Sequence, residues 1–439
     1  MRTNYLFFLF LFLLPFSGFT QGSKKIKLEE AIKMGLEQSR SLKIAESKVT
    51  IAGSKFVELK DMVLPSVGVS AGYARLSDIP AFTFQLNPSS PPVTLFPVIL
   101  NNYSTRASVN ESVFNGFRLK NGIASQQYLL EATKLDYEKD KEDIKFNIVN
   151  AYFNLYKVQI SKGIIEKSLA QADQRLKEIR TMEQQGLVLH NEELRAELQR
   201  SNMELTELDI NNNLQVANYN FGVLIGLPEG AEVEIDSAEL FQKNDFKAFQ
   251  EYMQTSLSKR SDLKAADLRK KASELNLKVV RGNMFPNLNI GANYYYADPN
   301  QRYIPPVAEF HNTWDIGINL NWNLTALYTN KHQRDEAQSQ ILQSSAFRDQ
   351  IADAVHMEVN QDFIGFQQSI KKTEVAARSV KLAQDNYRNT LSRYSNHVAL
   401  LSDLLDAEVL LLQANLNLAY SKADTQIAYH HLLKSTGSN

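Results

Sequence analysis

Few residues in this chain have the types and spacing for chemistry. The pair that stands out is Asp403 and Asp406 in SDLLDAE (402–408). Three apart on a helix, their carboxylates project from the same side. Repeated around a symmetry axis, such a pair forms an acidic ring that concentrates cations and repels anions. Two acids near a helix start also favour the helix dipole, a reading that needs no pore. Other chemistry lacks its residues: there is no Gly-rich phosphate loop, no HExxH and no cysteine. The seven histidines are scattered, and His430 and His431, being adjacent, diverge around a helix and read as surface or packing residues. No enzyme activity, cofactor or metal centre is expected.

The elements that would position the acids follow from the patterning. The chain has 439 residues, a formal net charge of -1 and 44% hydrophobic residues. That near-neutral balance argues against a nucleic-acid partner. Residues 1–20 read as a secretory signal: Arg2, the apolar run Leu6–Leu14, then the small residues Ser17, Gly18 and Thr20. No later segment approaches the roughly 20 apolar residues of a membrane-spanning helix, so any span after export is β-structure.

Such a strand is visible at WDIGINLNWNL (314–324). Trp314, Ile316, Ile318, Leu320 and Trp322 alternate with Asp315, Gly317, Asn319, Asn321 and Asn323. Eleven residues suffice for a tilted strand to cross a bilayer, and a Trp near each end suits an interfacial girdle, which Tyr294 joins. The prolines leave 98–227, 229–285 and 307–439 free for helix. Ile144, Ile148, Ala151, Leu155, Val158, Lys162, Ile165, Leu169, Ala172, Leu176 and Ile179 step by four and three, a coiled-coil seam interrupted only by Lys162.

The chain also overlays on itself. At an offset of 221, VLPSVGVSAGY (63–73) falls on MFPNLNIGANY (284–294). Later the offset becomes 211, with Tyr152 on Phe363 and Ala196–Glu197 on Ala407–Glu408. Each half then reads as helix (28–63; 249–284), strand, loop, strand (103–113; 312–324), long helix (117–185; 326–395) and return helix (188–225; 400–435). The expected domains are the signal peptide 1–20, a first repeat 21–226, a linker 227–248 and a second repeat 249–439.

Four membrane strands cannot close a barrel, and open sheet edges are not tolerated in lipid. Several copies must therefore join; three would supply twelve strands around an aqueous lumen lined by Ser66, Gly68, Ser70, Gly72 and the three Asn of 319–323.

With this order of elements, and with GLV plus an acid (Gly186, Leu187, Val188, Glu192) at one turn and Tyr394 with SDLLDAE at the other, the chain resembles the TolC family of outer-membrane efflux and secretion channels. The resemblance covers essentially everything after the signal. It implies a mainly α fold with transmembrane β: long coiled-coil helical hairpins plus four membrane strands per chain, forming a homotrimeric twelve-stranded barrel and a periplasmic helical tunnel. It further implies an outer-membrane conduit for small molecules or proteins, served by an inner-membrane pump and a periplasmic adaptor in a tripartite pump or type I secretion system.

By the resemblance, Asp403 and Asp406 sit at a cation-selective periplasmic entrance. Tyr394 would hold the gate closed against Asn191 and Glu192 at the outer turn. Gly186, Leu187, Val188 and Leu189, with Val398, Leu400 and Leu401, would form adaptor-docking tips or simply pack each hairpin. Ala399 departs from the family, which carries an arginine there, so one gate link is missing or rebuilt, with His190 or His397 as candidates. The competing reading is a soluble periplasmic coiled-coil scaffold whose strands form a small cap.

Overall fold

The computed structural model describes residues 24–85, 87–237 and 246–438. The expected signal peptide lies outside these residues, as does part of the expected linker. The chain packs as two units. One comprises Met1–Ser39, Asp143–Phe246 and Asp362–Lys434, the other Arg40–Glu142, Lys247–Gln361 and Ser435–Asn439.

Regular structure begins with β1 (Lys24–Ile26), α1 (Leu28–Gln38) and α2 (Arg40–Asp61). Next come β2 (Ser66–Arg75), a short hairpin of β3 (Phe82–Phe84) and β4 (Val93–Phe96), and β5 (Asn101–Phe114). The 67-residue α3 (Arg118–Gln184) and the return helix α4 (His190–Ile225) follow. After β6 (Val233–Ile235) the chain runs through α5 (Phe249–Lys259), α6 (Ser261–Gly282), β7 (Asn287–Asp298) and β8 (His311–Asn321). It ends with α7 (Ala326–Thr329), the 65-residue α8 (Lys331–Ser395) and α9 (Leu401–Ser435).

Two expected helices are each broken in two. Ser39 and Arg260 adopt extended ψ values of 115° and 125°, splitting α1 from α2 and α5 from α6. No proline marks either break; the cause is tertiary. Gly226, left-handed at φ 76, caps α4 directly against Gln38, so closely that a Cβ on Gly226 would lie 2.5 Å from Gln38 Cγ. Gly437, also left-handed, abuts the backbone of Lys259 and Arg260. In the same way α8 is parted from α7 at Asn330, whose Nδ2 donates to Val280 O.

In the first unit the seam residues Ile148, Leu155, Ile165, Leu169, Ala172, Leu176 and Ile179 are buried, while Lys162 stays at the surface beside Glu166. The largest core cluster gathers Ile148, Tyr152, Phe153 and Leu155 from α3 with Phe221 and Ile225 from α4. It also takes in Ile26, Val233 and Ile235, because β1 and β6 pair in parallel, an arrangement the sequence did not announce. The buried Tyr152 hydroxyl donates toward Ile26 O (3.0 Å) and Asp236 O (3.3 Å), and burial pushes its pKa up.

In the second unit β2, β5, β7 and β8 form one antiparallel sheet in that order. Directly paired residues share a face. Val67, Val69 and Tyr73 pair with Val109, Ala107 and Tyr103, and farther along Ile290, Ala292 and Tyr294 pair with Ile318, Ile316 and Trp314. That face is apolar and uncovered: Val67 and Val69 are each 75% exposed and Ile318 is 72% exposed. The opposite face is small and polar, with Gly68 against Ser108, Asn289 against Asn319 and Asn287 against Asn321.

Candidate functional site

The two helix tips are built alike. After α3, Gly186 takes φ 72, and the amides of Gly186 and Leu187 donate to Glu183 O (2.8 Å) and Met182 O (2.9 Å). After α8, His397 takes φ 60, and the amides of His397 and Val398 donate to Tyr394 O (2.9 Å) and Arg393 O (2.8 Å). Both are helix ends turned by one left-handed residue. His397 is therefore the turn residue of the second tip, equivalent to Gly186.

Asp403 and Asp406 are both exposed, whereas Leu401, Leu404 and Ala407 on the same helix are buried. The inward leucines explain why the acids face out. Asp403 also accepts a hydrogen bond from the Leu400 amide through Oδ2 (3.3 Å), so one of its oxygens caps the start of α9.

Leu401 packs with Leu176, Ile179 and Ala196, and Val188, Tyr394 and Leu405 close over this cluster. Residues of both hairpins thus meet at one core. Tyr394 reaches the first hairpin through this packing. Burial raises its hydroxyl pKa, and the nearby Glu192 carboxylate raises it further. Leu187, Leu189, Val398 and Leu400 remain exposed at the tips. The candidate tip residues therefore divide, with Val188 and Leu401 turned inward and Leu187 and Leu400 outward.

An ion pair just behind the tip was not foreseen. Arg175 on α3 contacts Glu408 on α9 at 3.3 Å and Tyr387 on α8 at 3.4 Å, with Glu178 also at 3.3 Å. Burial pushes the Glu408 carboxyl above the usual range, outweighing the opposite pull of Arg175. The Tyr387 hydroxyl is raised, first by burial and then by Glu408. The sequence held a hint of this in the recurring Ala–Glu pair at 196–197 and 407–408.

His190 does not reach the second tip. Its Nδ1 lies 3.5 Å from Glu183 and 3.3 Å from Glu193 within its own hairpin. These three groups are close enough to share a cation, but Arg180 Nε already holds Glu193 at 2.8 Å.

On the sheet, Tyr294 and Trp314 are cross-strand partners on the apolar face. Trp322 lies just beyond β8 and donates from Nε1 to Met284 O (3.0 Å). A second aromatic row crosses the sheet at the end away from the helices. Tyr73 lies 4.9 Å from Tyr103, and Phe310 stacks 5.0 Å from Tyr296 and sits 5.9 Å from Tyr103.

Comparison with known proteins agrees with this architecture. Residues 252–438 match the family model described as outer membrane efflux protein. The chain is 18% identical to the outer membrane efflux protein BepC of Brucella suis over 340 residues, covering 76% of this chain and 73% of the relative. It superposes on the CmeC outer membrane channel of Campylobacter jejuni with a TM-score of 0.76 at 16% identity, covering 94% of this chain and 85% of that one. On the outer membrane protein VceC of Vibrio cholerae the TM-score is 0.75 at 16% identity, with 93% and 96% covered. Residues 252–438 are therefore similar to the outer membrane efflux protein family, and the chain as a whole shares its fold with solved outer-membrane channels.

Proposed function

We propose that this protein is a passive outer-membrane conduit that works as a homotrimer. In this reading twelve strands close one barrel in the outer membrane, and the helical hairpins continue it as a tunnel through the periplasm. It receives small molecules or proteins from an inner-membrane pump through a periplasmic adaptor, and it catalyses no reaction.

The observation that carries this reading is the sheet. Its apolar face is exposed along all four strands, and β2 and β8 lie at its two edges. In water such a face would aggregate, and in lipid an unpaired edge leaves backbone groups without partners. Pairing β8 of one copy with β2 of the next satisfies both demands. No described helix is long and apolar enough to cross a membrane, so the sheet is what meets the bilayer. The return helix adds support: Leu194, Leu198, Leu205 and Leu208 form an exposed heptad stripe, the kind of seam another helix covers.

At the periplasmic end the reading assigns Asp403 and Asp406 to an acidic entrance ring of six carboxylates. Tyr394, Asn191 and Glu192 hold the two hairpin tips together, and Gly186, Leu187, Val188, Leu400 and Leu401 shape the tips an adaptor meets. Trp314, Trp322 and Tyr294 anchor the barrel at the membrane surface.

The test is single-channel conductance of the purified full-length protein in a planar bilayer, beside Asp403→Asn/Asp406→Asn. Cation-selective steps that lose selectivity in the double variant support both the conduit and its ring. Steps whose selectivity ignores the substitutions remove the ring alone. A protein that is released by osmotic shock, stays monomeric in detergent and never inserts is the soluble scaffold instead.

A further inference from the structure

The small, polar face of the sheet carries charge at one level only. Arg106 on β5 donates from Nε (3.1 Å) and Nη2 (2.7 Å) to Asn293 Oδ1 on β7. Asn293 Nδ2 in turn donates to Asp315 Oδ1 on β8 (2.7 Å). The other Asp315 oxygen takes Arg302 Nη2 (3.2 Å), and Arg302 Nη1 donates to Trp314 O (2.8 Å). The Arg106 guanidinium also lies 5.7 Å from the Tyr295 ring. Among the strand residues that share this face, the rest are Ser, Gly, Asn, Ala, Thr, Tyr and His311.

The charges in this rung do not balance. Asp315 has both oxygens engaged, one by an amide and one by Arg302. Arg106 meets a neutral oxygen and keeps its full charge, while Arg302 shares the single carboxylate. Within this rung two guanidinium groups therefore face one acid; the carboxylate of the β7–β8 loop, Glu309, lies beside His311 at the end of the strand. The Asn293 amide is oriented by Asp315: with its nitrogen committed to the carboxylate, its oxygen must face Arg106. Asn293 is thus a positioning residue that holds Arg106 extended across the face.

We infer that this rung is an anion-binding filter in the barrel lumen, for polyvalent phosphate or carboxylate groups. The inference rests on the conduit reading, which turns this face inward and sets three rungs at one level. An exposed planar guanidinium with free donors suits bidentate capture of such oxygens. Charge of one sign in a lumen with low-dielectric walls focuses the field and raises the local concentration of counter-ions. The filter is opposite in sign to the acidic tip, so the two ends of the conduit would select differently.

The experiment uses the full-length protein in a planar bilayer, with sodium tripolyphosphate added on the barrel side. The large polar helical part cannot cross the lipid, which fixes the side. Tripolyphosphate should block the natural channel at a concentration at least about tenfold lower than it blocks Arg106→Gln. Arg106→Lys, which keeps the charge and loses the fork, should fall between, and Asn293→Leu should weaken block with Arg106 still present. Addition from the helical side should not distinguish the variants. Equal block of natural channel, Arg106→Gln and Arg106→Lys overturns the filter and leaves the conduit standing. Failure of the natural protein to conduct at all removes the conduit, and the filter with it.

Discussion

Arg175 and Glu408 form a 3.3 Å ion pair between the first and second hairpins, with side chains only 12% and 7% exposed. The pair lies behind the tip at which Tyr394, Val188 and Leu401 pack together. It supplies a polar link between the two hairpins. Because the charges are buried, removing one costs more than the intact pair contributes.

Glu408→Ala should accordingly loosen the tip, by at most about 3 kcal/mol, since Arg175 loses its buried carboxylate and keeps only the more exposed Glu178. Glu408→Gln, which keeps a hydrogen-bond acceptor, should cost less. Amide hydrogen exchange over 387–412 measures both. Unchanged protection in Glu408→Ala would mean that water or Glu178 satisfies Arg175 without help.

The same carboxyl predicts a pH effect of definite sign. Burial holds Glu408 above the ordinary carboxylate range when the tip is packed, despite Arg175. The packed state therefore binds a proton in a pH window where the unpacked state does not. By linkage, this group's contribution to packing is present at low pH and is lost as pH rises through the raised value. Tip protection, corrected for intrinsic exchange, should rise as pH falls through that raised value, and Glu408→Gln should abolish that component.

Two left-handed glycines, one capping α4 and one in the turn that follows, give a comparison free of charge. Gly226 and Gly230 both have positive φ, but a Cβ on Gly226 would strike the Gln38 side chain while one on Gly230 would meet open space. Both alanine variants carry the left-handed penalty of about 1–2 kcal/mol. Gly226→Ala should lose more, because α1 must also shift. Thermal unfolding of the two variants side by side checks the order.

Tyr152→Phe tests the tie between α3 and the β1–β6 pair. The substitution keeps the ring in its core and removes the bonds to Ile26 O and Asp236 O. A loss of about 1 kcal/mol is expected, with faster exchange at Ile26 and Ile235. A change at the tips instead would contradict a local role.

Much of this protein is present in its one-dimensional pattern. A four-three seam lines one face of a helix, and Ile148, Leu155, Ile165, Leu169, Ala172, Leu176 and Ile179 are buried as the spacing requires. Strict alternation in 314–322 reads as a two-faced strand, so the apolar and polar faces of that strand were readable, whereas the partnering of Tyr294 with Trp314 came from the register of the folded sheet. The spacing of the acids at 403 and 406 put them on one side of a helix, and the burial of Leu401 and Leu404 decided that this side faces out. What the tertiary structure decided depends on residues far apart in sequence. The breaks at Ser39 and Arg260 come from capping glycines almost two hundred residues away, with no local breaker. The parallel pairing of β1 with β6 joins two three-residue segments too short to carry any period. Arg175 with Glu408, and Arg106 with Asn293 and Asp315, are polar contacts between elements. Periodicity tells which face a side chain occupies; only packing tells which charge it meets.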